Sequence, residues 1–351
     1  MTRQDTNLAF LLRYENVAWY ADGAVRILDR RIYPIRTESV TCRPHQEVAQ
    51  AIADMVTQSG GPYTAASMGM ALACHECRDM DAAGQRTFLE TAAHTLAHAR
   101  PTTAPRMRQV TARALKVAFA ALEAGKSADV AVFEDTLDGL DSKYARYAIM
   151  GRHLAGLMPQ KGTVMTQCFA ETIVGMMLRA CRESGKAVHF ICPETRPYYQ
   201  GARLTASCIA DMGFDVTVIT DNMPAWAMAQ RGVDLFTSAA DAICMDGHIV
   251  NKVGTLQIAL AAHHFGVPYF VTGTPNRAYP SKHEVHIEER DPALTNESLG
   301  VRTTLPGVKG WYPAFDVTPP TLCAGVVTDK GILSPYDLAR YFDNDATEVT
   351  P

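Results

Sequence analysis

From Lys161 onward the chain keeps a rhythm that few folds accommodate: short β-branched and apolar runs alternate with stretches of helical periodicity. Thr163–Thr166 reads as a buried-type strand, followed by a helix through Ile173, Met177 and Leu178. Val188–Ile191 is the next strand, then a loop, then a helix from Ala202 to Met212. Val216–Ile219, Leu235–Ser238 and Tyr269–Thr272 continue the series with helices between them. Strands that alternate with helices pair in parallel through right-handed crossovers, which is a Rossmann-like arrangement. In such sheets ligands bind beyond the carboxyl ends of the strands, so the loops after these runs are where chemistry is expected.

The N-terminal part is different. Its first forty residues alternate apolar and polar side chains around Asp22-Gly23, a hairpin signal, with Val17–Tyr20 and Val25–Leu28 as flanking strands and a third near Ser39–Thr41. Helical periodicity follows over His45–Gln58, where Val48, Ile52, Met55 and Val56 share a face, and over Ala65–Cys77, Gly84–Ala99 and Met107–Ala124. A long helix from about Ala128 to Met158 then leads to Pro159. The expected fold is α/β: a small β plus helical domain over 1–125, a connecting helix over 126–160, and a Rossmann-like parallel-sheet catalytic domain over 161–351. A chain of 351 residues with 47% hydrophobic and 20% charged residues can bury both cores.

Several function classes fall away. A net charge of −4 with scattered basic residues does not make a nucleic-acid surface. No run reaches the roughly 20 apolar residues of a membrane span, and the N-terminus lacks the charged-then-apolar pattern of a secretory signal, so the chain reads as cytoplasmic. Nine cysteines without regular spacing read as reduced thiols. Cys74-His75-Glu76-Cys77 has no second ligand pair at zinc spacing and reads as the cysteine-bearing end of an apolar helix, so no metal is expected. Neither Gly-x-x-x-x-Gly-Lys-Ser/Thr nor Gly-x-Gly-x-x-Gly occurs, which argues against a nucleotide.

The unusual residues stand after the strands. Cys168 follows the first one and precedes a helix, whose N-terminus would favour a thiolate; a buried structural cysteine is the plain alternative. The loop Glu194–Thr205 carries two guanidinium groups and opens into a helix, a setting suited to a sugar phosphate, or else a solvated turn. Asp241 follows the Leu235–Ser238 run among small apolar residues, where a carboxylate must be paired, protonated or catalytic. Asp246-Gly247 marks a turn, after which Asn251–Thr255 opens a helix and Lys252 offers a point charge for an anion.

Taken in order, these strings resemble the methylthioribose-1-phosphate isomerase family, which also holds ribose-1,5-bisphosphate and deoxyribose-1-phosphate isomerases and regulatory subunits of a translation-initiation exchange factor. The resemblance runs through Val17-Ala18-Trp19, Leu28–Arg31, Ala99–Thr102, Glu194–Pro197 with Gln200–Thr205, Asn251–Thr255, Ile287–Asp291 and Pro313–Pro319. It implies Cys168 and Asp241 as the catalytic pair and Arg100, Gln200, Asn251 and Lys252 as substrate-binding residues. The presence of both catalytic residues favours an enzyme over a regulatory subunit. The early Trp and Leu-Asp-Arg-Arg strings favour the methylthioribose branch and, with it, methionine salvage. The family's Arg-Gly-Ala-Pro-Ala-Ile-Gly loop stands here as Ser59–Ala65, so Ser59 replaces a phosphate-binding arginine, with Arg106 and Arg203 as candidate substitutes. Gln167 and Phe169 flank the cysteine where the family has His and Asn, and the connection from Cys168 to Glu194 is shorter than in typical methylthioribose enzymes.

The reaction so implied converts a sugar 1-phosphate, 5-methylthioribose 1-phosphate or a close 5-deoxypentose analogue, to the ketose 1-phosphate. Asp241, its pKa raised in a dry pocket, would handle the ring-oxygen and hydroxyl protons while Cys168 moves a proton between C2 and C1; a hydride shift fits the residues as well. No cofactor is needed, because both redox changes fall within one substrate. A different sugar phosphate in a rebuilt pocket, or a non-catalytic regulatory subunit on the same fold, is the alternative. Apolar faces on the connector and on C-terminal helices, with the resemblance, imply a homodimer.

Overall fold

The computed structural model describes residues 3–100 and 104–347. The chain forms two compact units, Met1–Ala145 and Arg146–Pro351. The first carries an antiparallel sheet of β1 (Trp19–Ala21), β2 (Ala24–Leu28) and β3 (Ser39–Cys42), in that order. Ala21 pairs with Ala24, so Asp22 and Gly23 make the two-residue turn, and both take the positive φ that such a turn demands. Val17 is not in the hairpin: it ends a short helix, α1 (Tyr14–Val17). Helices α2 (His45–Ala53), α3 (Gly61–Glu76), α4 (Ala82–Ala97) and α5 (Ala104–Glu123) follow. The helix expected to reach Gln58 stops at Ala53, because Met55 turns into the left-handed region at φ 61° and Val56 N–H returns to the Ala51 carbonyl. Cys74 and Cys77 lie buried at the end of α3; Glu76 binds His45 Nδ1 at 2.7 Å and His75 packs edge-on against Tyr20.

Helix α6 (Ala128–Leu157) contains the boundary between the units. Its N-terminal part holds the start of the chain: Tyr14 Oη donates to Asp141 at 2.6 Å, and Tyr144 Oη donates to the Leu12 carbonyl at 2.8 Å.

The second unit opens with β4 (Lys161–Met165), α7 (Thr172–Glu183), β5 (Ala187–Pro193), α8 (Ala206–Asp211), β6 (Val216–Ile219), α9 (Pro224–Arg231) and β7 (Leu235–Ala239). It continues through β8 (Ala242–Ile243), β9 (Ile249–Lys252), α10 (Thr255–His264) and β10 (Tyr269–Thr272). It ends with β11 (Glu297–Ser298), β12 (Val301–Arg302), β13 (Phe315–Thr318), β14 (Gly325–Thr328) and β15 (Gly331–Leu333). Seven strands form one sheet in the order β15-β14-β10-β7-β4-β5-β6, parallel throughout except for edge strand β15. Its middle is dry: Phe236, Val271 and Val326 are wholly buried, and Phe236 stacks on Tyr269 with ring centroids 4.4 Å apart.

The sequence reading differs from the structure in two places here. Asn251 and Lys252 do not open a helix but end β9, the middle strand of a small antiparallel sheet, β13-β9-β8. Strand β13 comes from far along the chain, so local periodicity carried no sign of this pairing. The expected C-terminal helices are also absent among the described residues, which end in a 3₁₀ segment, Leu338–Thr347.

Within the second unit, α6 meets α7 backbone to backbone. A Cβ on Gly151 would lie 2.6 Å from the Met176 carbonyl carbon, whereas one on Gly156 would find nothing within 4 Å. Gly151→Ala should therefore cost ~1–3 kcal/mol by overpacking. Gly156→Ala, on the same helix, should gain up to ~1 kcal/mol from helix propensity. Urea midpoints of the two variants moving in the same direction would refute this crossing.

Candidate active site

The strand order reverses around β4: β5 and β6 build outward on one side, and β7 returns to the other. The crevice at such a reversal is the usual ligand position in a parallel sheet. Cys168 follows β4 and Asp241 follows β7, so both stand at the two strand ends that border it.

The loop after β4 is tied from both sides. Thr205 Oγ1 donates to the Cys168 carbonyl. Gln167 Nε2 donates to the Val253 carbonyl at 3.3 Å while its Oε1 accepts from Thr195 Oγ1 at 3.4 Å. Gln167 thus bridges the neighbouring loops. Cys168 and Glu171 both hold positive φ, 58° and 47°, at a cost of ~1–3 kcal/mol each. A small cavity beside Cys168 is lined by Ile173, Val174 and Met177 on one side and by Thr237, Ser238 and Thr272 on the other.

The environment of Cys168 is the reverse of the thiolate-stabilising one expected. Helix α7 begins only at Thr172, with Glu171 at its N-cap, so the thiol is not in the helix's first turn. Burial pushes the thiol up to about 11; the Lys252 charge draws it down, Asp241 drives it further up, and Arg290 also draws it down. Desolvation wins. Asp241 departs from expectation as well. Its backbone N–H donates to the Val250 carbonyl at 2.9 Å, but the residue is exposed, because the turn between β7 and β8 carries it out of the apolar sheet. No dry pocket surrounds that carboxylate within the second unit.

The loop after β5 is built around Asp221, whose carboxylate accepts from Thr195 N at 2.8 Å and Arg196 N at 2.6 Å. Arg196 donates to Tyr199 Oη at 2.9 Å and to the Glu297 carbonyl, so this guanidinium braces the loop. Arg203 donates to the Tyr198 carbonyl at 3.3 Å. The helix expected from Ala202 starts as a π-turn, Gly201–Thr205, a form frequent at functional sites. Gly201 is required there: a Cβ would lie 1.8 Å from the Pro193 carbonyl oxygen. Gln200, 6% exposed, leaves its Oε1 buried without a hydrogen-bond partner.

On β9, Asn251 Nδ2 donates to Thr255 Oγ1 at 3.0 Å, and Lys252 Nζ donates to the Ala314 carbonyl at 3.0 Å. Lys252 is buried, with Nζ 5.0 Å from the Phe315 ring centroid and 5.8 Å from that of Tyr312. Asp316 Oδ2 accepts from Gly254 N and Leu256 N at the start of α10, and burial pushes its carboxyl up to about 6. The second unit thus gathers Asp241, Lys252 and Arg290 within electrostatic reach of the thiol. Arg290 and Asp316 sat unremarked inside the family strings and Tyr312 just before one, since a mixed-charge run such as Glu288–Asp291 looks solvated from sequence alone. Arg100 and Ser59 belong to the first unit, Arg100 half-buried beyond α4 and Ser59 exposed at φ 59°. Pro101 and Thr102 lie outside the described residues. Arg106 is exposed, 4.6 Å above the Tyr63 ring.

The fold and this site define a member of the Initiation factor 2 subunit family, whose model matches residues 61–335, and the chain belongs to that family. Its relatives include methylthioribose-1-phosphate isomerases. That of Chloroflexus aurantiacus is 34% identical over 334 residues, covering 92% of this chain and 96% of its own. That of Thermotoga maritima is 33% identical over 341 residues, with coverage of 92% and 96%. Among solved structures, the 5-methylthioribose 1-phosphate isomerase of Pyrococcus horikoshii superposes with a TM-score of 0.82 at 27% identity over 94% of this chain and 96% of that one. Subunit delta of translation initiation factor eIF-2B from A. fulgidus gives 0.79 at 30% identity, covering 91% and 96%.

A thiol near 11 is almost wholly protonated at neutral pH, and its reactive fraction grows about tenfold per pH unit below that value. Iodoacetamide labelling of the Cys168 peptide, followed by mass spectrometry, should accelerate in that proportion between pH 7 and 10. Lys252→Met should slow it further by removing the charge that favours the thiolate. A plateau below pH 9 would contradict this environment.

Proposed function

We propose that the protein is an aldose–ketose isomerase that converts 5-methylthioribose 1-phosphate, or a close 5-deoxypentose analogue, to the ketose 1-phosphate. It acts in the cytoplasm, as a homodimer, in methionine salvage. The observation that carries this reading is the pairing of Cys168 and Asp241 at the strand-order reversal, with the Lys252 and Arg290 charges acting on the same thiol. The names of the isomerase relatives, at about a third identity over most of the chain, support it.

The C1 phosphate locks the sugar as a ring, so the ring must open without loss of phosphate. A thiol held protonated is suited to give its proton to the ring oxygen as the bond from that oxygen to C1 breaks. Asp241, whose negative charge bears on that thiol, takes the C2 hydroxyl proton. The C2 hydrogen then passes with its electron pair to C1, leaving a ketone at C2 and a CH₂ bearing the phosphate. One proton is given, one is taken and one hydride moves within the substrate, so no outside oxidant enters. The roles differ from those expected from sequence because the thiol environment favours an acid over a base. Arg100, Gln200, Asn251 and Lys252 hold the hydroxyls and phosphate in this reading.

Folded Cys168→Ala and Asp241→Asn should each lose on the order of a hundred- to ten-thousand-fold in kcat/KM. In D₂O the product should carry no solvent deuterium at C1; incorporation there would show proton transfer through an enediol instead. Turnover of another sugar 1-phosphate in preference would point to a rebuilt pocket, as the Ser59 replacement suggests. Absence of turnover across a panel would place the chain with the non-catalytic members of its fold. Light scattering should return twice the 38.3 kDa chain mass, and a monomer at micromolar concentration would exclude the dimer.

A further inference from the structure

Arg290 and Tyr312 hold no part of the substrate in the assignments above, yet their setting gathers cations, aromatic rings and a buried hydroxyl. The two segments that carry them run antiparallel: Arg290 N donates to the Tyr312 carbonyl at 2.9 Å, and Ala314 N donates to the Glu288 carbonyl at 2.8 Å. The pairing sets the Arg290 guanidinium 5.7 Å from the Phe315 ring centroid and 5.9 Å from that of Tyr198, which comes from the Gln200 loop. Lys252 faces Tyr312 and Phe315 from the β9 side. Two cations therefore share one aromatic enclosure. Cations over rings are held in place by the ring quadrupole. Arg290 also meets a carboxylate, Glu288, at two points: its Nε lies 3.2 Å from Oε1, and its Nη2 donates to Oε2 at 3.4 Å.

The enclosure also holds unspent hydrogen-bonding capacity. Tyr312 is 3% exposed, and its hydroxyl is buried with no partner. Burial raises the phenol pKa to about 12, against the downward pull of the Arg290 guanidinium beside the hydroxyl. Gln200 Oε1, two residues along the loop from Tyr198, is likewise buried without a hydrogen-bond partner. A buried hydroxyl left without a partner costs stability unless something else supplies one. The enclosure is next to the reacting centre, since Lys252 and Arg290 both act on the Cys168 thiol and the thiol in turn bears on Tyr312.

We propose that Arg290 and Tyr312 bind the C1 phosphate of the substrate together with Lys252, the guanidinium and ammonium charges facing the phosphate and the Tyr312 hydroxyl donating to one of its oxygens. The inference rests on the isomerase reading for the identity of the phosphate. C1 is bonded directly to C2, where hydrogen leaves, so cations that reach the thiol also reach a phosphate on C1. Arg290 thereby supplies the charge that Ser59 does not.

Two variants test this. Tyr312→Phe keeps the ring and removes only the hydroxyl, so a purely structural tyrosine would show unchanged or higher thermal stability and unchanged binding. Arg290→Gln removes the charge and the fork, whereas Arg290→Lys keeps the charge alone. The expected result is a KM for 5-methylthioribose 1-phosphate raised about ten- to a hundredfold in Arg290→Gln, and by less in Tyr312→Phe and Arg290→Lys. Calorimetric affinity for inorganic phosphate should weaken in the same order. KM and phosphate affinity within twofold of wild type in folded Tyr312→Phe and Arg290→Gln would overturn the assignment. The calorimetry separates it from the isomerase reading: a wild type inactive on every sugar 1-phosphate, whose phosphate binding still falls in Arg290→Gln, would sink that reading and keep the anion site.

Discussion

The reversal of strand order around β4 is the constraint on which the rest of the second unit depends. A parallel strand must be followed by a crossover, and right-handed crossovers send β5 and β6 to one side and β7 to the other only if the chain returns past its starting strand. The loops after β4 and β7 then diverge to opposite sides and leave a crevice between them. Cys168 and Asp241 need no proximity in sequence to meet there. Their strands are neighbours, with Met165 registered against Phe236.

The loops around that crevice hold conformations that local preference resists. Cys168, Glu171, Thr195 and Tyr199 all have positive φ without being glycine. Each is costly alone, and each lies in a loop braced from elsewhere: Asp221 takes the N–H groups of Thr195 and Arg196, Thr205 caps the Cys168 carbonyl, and Gln167 spans to Val253. The stability of the parallel sheet offsets this strain, which orients the site before any ligand arrives. Charge follows the same logic. Burial drives the thiol towards its neutral form, while the Lys252 and Arg290 charges stop it rising further.

Much of this was legible in order of appearance. The hairpin at Asp22-Gly23, the helices of the first unit, and the strands around Val164, Phe190, Val218 and Phe236 are all local patterns, and periodicity alone marks them. Cys168, Gln200 and Asp241 stand after those strands, where chemistry in a parallel sheet is expected. Harder to read was whatever depended on distant partners. Asn251 and Lys252 belong to a strand because β13 pairs with it more than sixty residues later, and Asp316 on that same β13 caps the helix that follows.

The sequence by itself determined the fold class, the order of the elements and the pair of side chains placed after β4 and β7, because hydrophobic period and turn chemistry are written locally. The tertiary structure alone decided the protonation character of Cys168, the exposure of Asp241 and the burial of Arg290 beside Tyr312. Those properties depend on which groups surround a side chain and how much water they displace, and here those groups come from β9, the Glu288–Arg290 segment and β13, brought together only when the chain has folded.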